Sequence, residues 1–295
     1  MPGDAPVGEI EAFGNFYGVA HGSGRYGRAR RGGKRGPIIG AMSIKHFDEM
    51  TWPEVEALDR ERVIPLLPTG AIEAHGPHLP LNTDVIIAQA MVESAAELLL
   101  HDGLQPLIMP AISYTAAGFA SSFAGTISPT PGAVRGAIVG IGRSLGRHGF
   151  PRLAVANSHL DPLHLASIRA AIDVLDDAIE VIFPNITKKP WALRLSDEFK
   201  SGACHAGQYE TSVVMAARPD LVREDKRTDL EPVPISISEA IQAGKTSFVA
   251  AGGDQAYFGY PAEASAEEGA ATVKILGEIL RDAVKEALEP GAPEA

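Results

Sequence analysis

Val63-Ile64-Pro65-Leu66-Leu67 runs into Pro68-Thr69-Gly70-Ala71-Ile72-Glu73-Ala74-His75-Gly76-Pro77-His78-Leu79-Pro80-Leu81-Asn82-Thr83-Asp84, and then into an apolar stretch from Val85 to Leu100. The first piece is short, apolar and strand-like. The last has polar residues at Gln89, Glu93 and Glu97, four apart, which leaves a wide apolar surface on a buried helix that Thr83 or Asp84 could cap. Between them lies a polar loop dense in imidazole and carboxylate. The stretch therefore reads as strand, chemically loaded loop and helix. Outward from it the alternation repeats. Leu107–Ile112 is strand-like, and Thr130-Pro131 opens a helix to about Gly149, with proline in the first turn where its missing N–H costs nothing. Leu153–Asn157 (LAVAN) is a short buried strand, Pro162 opens a helix to about Ile179, and Val181–Phe183 begins a fourth strand. Helical patterns return at Tyr209–Ala217 and Ala264–Leu288. Strands separated by helices of this length predict right-handed crossovers and an α/β fold, a mostly parallel sheet with helices on both faces.

Residues 1–41 differ from this pattern. Gly22–Pro37 is rich in Gly and Arg and reads as a disordered basic tail, or as sequence ahead of a true start at Met42. Arg30-Arg31 raises the idea of a twin-arginine signal, but the apolar stretch after it is short and broken by glycine. No linker or internal repeat follows residue 42, so 42–295 is expected to be a single domain. The chain of 295 residues is 45% hydrophobic, enough for a large core, and its net charge of −11 disfavours nucleic acid as a partner. The lone Cys204 allows no internal disulfide and fits a cytoplasmic protein, and no stretch is apolar enough to predict a membrane span.

Sites in open parallel sheets form beyond the carboxyl ends of strands. Two such ends here carry polar clusters, Glu73/His75/His78/Asp84 after VIPLL and His159/Asp161 after LAVAN. In extended chain, residues two apart project to one side, so Glu73 with His75, and His159 with Asp161, can each reach a common site. The mixture suits Zn, Mn or a related divalent ion, and Asp84 has two oxygens with which to bridge a pair. A third cluster, Cys204-His205-Ala206-Gly207-Gln208-Tyr209-Glu210, enters a helix. His205 is a candidate general acid or base, and Glu210 a candidate ligand or proton carrier. A polar structural network, or a helix N-terminus with a favourable first-turn carboxylate, would produce similar patterns.

Gly70, Glu73, His75-Gly76-Pro77-His78-Leu79-Pro80-Leu81 and Thr83-Asp84 resemble the G-x-x-E-x-H-G-P-H-L-P-L-x-T-D signature of the creatininase (creatinine amidohydrolase) family. Phe123–Thr126 resembles its F-x-G-T segment, Asn157-Ser158-His159 its N-G-H, and His205–Ser212 its H-A-G-x-x-E-T-S. The resemblance covers about residues 43–285. It implies a three-layer α/β sandwich, two divalent ions per chain (Zn, Mn or Fe), and hydroxide attack on the C–N bond of a cyclic or linear amide. It also implies a small-molecule substrate and a homo-oligomer, often a hexamer. Carried over by position, Glu73, Asp84 and His159 would hold one ion. His75, Asp84 and a carboxylate, either Asp161 or Glu210, would hold the other, and His205 would contact substrate and protonate the leaving group.

The departures bear on substrate. Asn157–Pro162 matches neither N-G-H-G-G-N nor the form with tyrosine and glutamate, and Ala120-Ser121-Ser122 stands where many relatives carry E-H. Both argue against creatinine itself. Trp191 and Phe199 lie in a region too weakly matched to transfer a pocket. An alternative keeps the metals and opens a cyclic ketone derived from an inositol or sugar. A second is a non-catalytic oligomeric scaffold. A Cys204 nucleophile is weaker still, since a lone buried cysteine is usually inert.

Overall fold

A computed structural model describes residues 43–289. The reading of 1–41 as a tail falls outside them. Five strands, β1 Lys45–His46, β2 Val63–Thr69, β3 Gln105–Ile108, β4 Arg152–Asn157 and β5 Glu180–Ile182, form an all-parallel sheet in the order β1-β3-β2-β4-β5. The helices in chain order are α1 Trp52–Glu56, α2 Thr83–His101, α3 Pro131–Arg147, α4 Pro162–Leu175, α5 Asp197–Ser201, α6 Gln208–Ala217, α7 Glu224–Arg227, α8 Ile237–Gln242, α9 Phe248–Ala251 and α10 Ala266–Leu288.

The period of two along each strand divides its side chains between two cores. Ile64 and Leu66 of β2, with Ala154 and Ala156 of β4, meet Met91 and Leu99 of α2, Val213 of α6 and Leu276 and Leu280 of α10. Val63, Leu67, Leu153 and Val155 point the other way, onto Val134 and Ile138 of α3 and Ile168 of α4. The result is the three-layer sandwich expected. Side chains such as Ile64, Leu66, Leu153 and Ile168 are wholly buried, each contributing about 1.5–3 kcal/mol relative to exposure.

Three local differences from the sequence reading have plain causes. The β3 strand ends at Ile108 and not Ile112, because Pro110 has no N–H to give the ladder; pairing resumes only as an isolated bridge between Thr69 and Ile112. Helix α2 begins at Thr83 behind Asn82, so neither Thr83 nor Asp84 is its cap. Thr83 Oγ1 donates instead to Pro80 O at 2.7 Å, and Asp84 turns towards the sheet edge. Helix α4 stops at Leu175, before Asp176-Asp177.

The topology fixes where a site can form. The chain leaves β2 through α2 towards β3, and leaves β4 through α4 towards β5 on the opposite side. Neighbouring strands with diverging exits open a crevice at their carboxyl ends. Gly70 closes that crevice from below: a Cβ there would lie 2.6 Å from the backbone N of Val85, so only glycine lets the first turn of α2 sit against the end of β2.

Candidate metal centre

The β2 and β4 ends register Thr69 against Asn157, and Thr69 Oγ1 donates to Asn157 Oδ1 at 3.0 Å. Asn157 in turn donates through Nδ2 to His159 O at 2.7 Å, which shapes the turn that carries His159. On the other side, Thr126 of the F-x-G-T segment accepts from Ala74 N at 3.1 Å and pins the chain between Glu73 and His75. Helix α6 delivers Glu210 from its first turn.

These segments converge. His159 Nδ1 lies 3.2 Å from Glu73 Oε2 and 2.9 Å from Asp84 Oδ2. His75 Nε2 lies 3.4 Å from Asp84 Oδ1 and 3.5 Å from Glu210 Oε2. Two groups able to hold a cation result, Glu73/Asp84/His159 and His75/Asp84/Glu210, and Asp84 turns one oxygen to each. A third group, Glu73/His75/His205, overlaps them. All these side chains are buried.

The chemistry of this donor set fits divalent ions. Each histidine is held by one ring nitrogen on a backbone carbonyl: His75 Nδ1 on Glu73 O (3.0 Å), His159 Nε2 on Ala116 O (2.8 Å) and His205 Nε2 on Ala74 O (3.0 Å). A carbonyl only accepts, so the bound nitrogen carries the proton, and in a neutral ring the other presents a lone pair to the site. Glu73 Oε1, His75 Nε2 and Asp84 Oδ2 are buried without an aligned hydrogen bond, although ionic neighbours stand close. Buried carboxylates demand positive charge. Without a metal the imidazoles supply it: burial alone would discharge His75, but Asp84, Glu210 and Glu73 outweigh burial and hold it up to about 10. His159 is raised for the same reason, against its burial, by Glu73 and Asp84. Glu210 is pushed up to about 8, first by burial and then by Asp84 and Glu73, with His75 opposing. A divalent ion would replace these protons.

His205 differs from the other two. Burial first, then the neighbouring His75, lowers it well below the ordinary histidine range, so it stays neutral. Its ring lies between His75 (centroids 4.3 Å) and Phe248 (4.2 Å), and its Nδ1 is 4.0 Å from Glu210 Oε2. Ala206 beside it takes a φ of 49°, a strained turn that sends its N–H to Glu210 Oε2 at 2.7 Å.

The remaining candidates are placed elsewhere in the network. Asp161 lines the cavity but caps α4, accepting from Leu163 N at 2.8 Å and Phe119 N at 3.4 Å; it joins neither cation-holding group. His78 lies behind the site on Thr211 Oγ1 (2.9 Å), and burial, then His75, lowers it to about 4. Cys204 is buried at the cavity wall, and burial followed by Glu210 pushes its thiol far up, so no thiolate nucleophile is available. Phe199 lines the cavity, whereas Trp191 packs against the core; Ser121 and Ser122 are exposed outside the lining.

Sequence reasoning missed Glu198. Its carboxylate accepts from Gln208 N (2.9 Å), Tyr209 N (2.6 Å) and Tyr260 N (2.8 Å), joining the start of α6 to the segment after Phe258. Gly207 and Gly259 lie against it so closely that a Cβ would come within 2.7 and 2.1 Å of Oε1. The signal, glutamate near a helix start, is local and common; its partners are far away in sequence. Phe248 and the α8 residues Ile237 and Ile241 were also missed. They complete a cavity of about 600 Å³ over Glu73, Asp84, His159 and Glu210. No helix among the described residues is long and apolar enough to cross a membrane.

A family model described as creatinine amidohydrolase matches residues 48–284. The mycofactocin precursor peptide peptidase of Mycobacterium ulcerans is 31% identical, over 85% of this chain and 92% of its own length. The creatinine amidohydrolase of Pseudomonas putida is 28% identical, over 82% and 96%. Among solved structures, one titled "Creatininase Mn" superposes with a TM-score of 0.63 at 26% identity, covering 84% of this chain and 100% of that one. With the signature residues gathered at one sheet edge and the family model spanning most of the sequence, the chain belongs to the creatininase (creatinine amidohydrolase) family of metal-dependent hydrolases.

Proposed function

We propose that this enzyme hydrolyses an amide C–N bond in a substrate larger than creatinine, of the short-peptide class. The observation that carries the reading is the pairing of a divided Asp84 with a cavity of about 600 Å³ whose walls are mostly apolar, far more space than a small cyclic amide fills. The relative at 31% identity, named a peptide peptidase, agrees with it.

Glu73, Asp84 and His159 would hold one divalent ion, and His75, Asp84 and Glu210 the other. When bound, such ions polarise a carbonyl oxygen and make water a nucleophile at neutral pH. The chain itself supplies the rest. Glu210 is preferred over Asp161 because it stands 3.5 Å from His75 Nε2 while Asp161 is committed to the α4 N-terminus. His205 has Nε2 tied to Ala74 O, which leaves Nδ1 to take a proton from the attacking water and return it to the departing nitrogen. An amide needs that return, because an unprotonated amine anion leaves poorly. Phe248 packs against the same ring, tilted by 34° with centroids 4.2 Å apart.

The test has two parts. Elemental analysis of the dialysed protein should find about two equivalents of Zn, Mn or Fe per chain. A panel of creatinine, lactams, formamides, short peptides and keto-inositols should show turnover of peptides and none of creatinine. Cleavage of keto-inositols without any amide would replace this reading by carbon–carbon hydrolysis, and a protein that neither retains nor rebinds metal would be a scaffold.

A further inference from the structure

The charges that line the cavity are segregated. Its four carboxylates, Glu73, Asp84, Asp161 and Glu210, are buried at the floor. Lys188, Lys189 and Lys200 also line it, and all three are exposed. No carboxylate of the lining is exposed alongside them. In a chain of net charge −11, three of its nine lysines stand at this one opening. Their pairing state is equally uneven. Arg194, in the same stretch of chain, points away to Glu278 (3.0 Å) and Asp282 (2.8 Å) on α10. Lys188 and Lys189 have no ion-pair partner among the described residues, and Lys200 holds only the fully exposed Asp197, at 2.7 Å, which lies outside the lining.

We propose that the mouth of the cavity is a carboxylate-binding subsite, formed by Lys188, Lys189 and Lys200, that selects amide substrates bearing a negative charge beyond the scissile bond. The inference rests on the amide-hydrolase reading above and adds the substrate's charge to it. The acidic remainder of the surface repels an anion, while ammonium groups on an apolar cleft draw it in and raise its local concentration. A peptide offers such a group at its C-terminus or on an acidic side chain, and lysine accepts either because an ammonium acts as a point charge without fixed directionality.

The test uses the full-length, metal-loaded protein and an uncleavable probe, a tetrapeptide with one reduced amide bond. Three forms are compared by calorimetry at low and high salt: a free C-terminal carboxylate, a C-terminal amide, and the amide with glutamate as last residue. The free acid should bind about tenfold more tightly than the neutral amide, the gap narrowing in salt. In the combined K188A/K189A/K200A variant the gap should close, while K245A, an exposed lysine outside the lining, should keep it. If the glutamate form recovers the affinity, any carboxylate serves; if not, the C-terminal one is read. Equal affinity for all forms, no binding by any, or a gap that survives the triple variant overturns the subsite. Hydrolysis of the cleavable peptides separates the two claims: turnover indifferent to charge keeps the amidase and removes the subsite, and charge-dependent binding without turnover does the reverse.

Discussion

The floor and the mouth of the cavity are built on different principles. The floor is made of strand ends and a helix start, its side chains buried and each histidine tied to a carbonyl. The mouth is made of the stretch 187–202, which includes α5, and of the short helices α8 and α9, and it exposes Leu193 and three lysines. Rigid backbone can hold several ligand atoms within a few tenths of an ångström; surface loops vary without disturbing it. On the proposed reading, the reaction chemistry belongs to the floor and substrate choice to the mouth.

The largest effect should come from the residue shared by both halves of the floor. Asp84→Ala removes an oxygen from each cation group, so activity should fall at least about 10³-fold and metal content to below one equivalent per chain, as judged by elemental analysis. A fully active variant would end the two-ion assignment. A paired substitution sharpens the point. Glu210→Gln should lose one equivalent of metal and about 10²-fold or more in activity. Asp161→Asn should retain both ions and lower stability by about 1 kcal/mol or less, as a weakened helix cap. If the two variants exchange phenotypes, Asp161 is the ligand.

Glu198 tests whether the floor depends on residues outside it. Glu198→Ala strands three N–H groups, at the start of α6 and at Tyr260, and should cost roughly 3 kcal/mol in denaturant melts. Glu198→Gln keeps the acceptor oxygen and should recover part of that loss. The smallest effect is on pH dependence. In metal-free protein, His75 is held up to about 10 and Glu210 up to about 8, so the folded state binds more protons than the unfolded one above the ordinary pKa of each group. The stability His75 contributes is complete below about 6.5 and is lost as pH rises through 10. Melting temperature of metal-free protein should therefore decline from neutral to alkaline pH. Loading with metal should release protons, seen by calorimetry in buffers of different ionisation enthalpy, and should flatten that decline.

Much of the floor is legible in the order of residues alone. The 3.6-residue and two-residue periods locate the main helices and buried strands, and loops at strand ends are where His75, Asp84 and His159 have to meet. Departures cluster where a local rule meets a tertiary demand. Asp84 looks like a helix cap by position, yet the close approach of Val85 to Gly70 turns it into the site. His159 and Asp161 share a spacing, but Asp161 is drawn into capping α4, which begins at Pro162, while His159 faces Glu73 and Asp84.

The sequence by itself determined the α/β class, the order of the main elements and a pool of candidate metal-holding groups, because periodicity and side-chain chemistry are local properties. Only the tertiary structure decided that Glu210 stands opposite His75, that Glu198 anchors α6, and that Phe248 and three lysines overlook the same floor. Those facts depend on contacts between segments distant along the chain, such as His205 with Ala74 and Glu198 with Tyr260, which no spacing along the chain encodes.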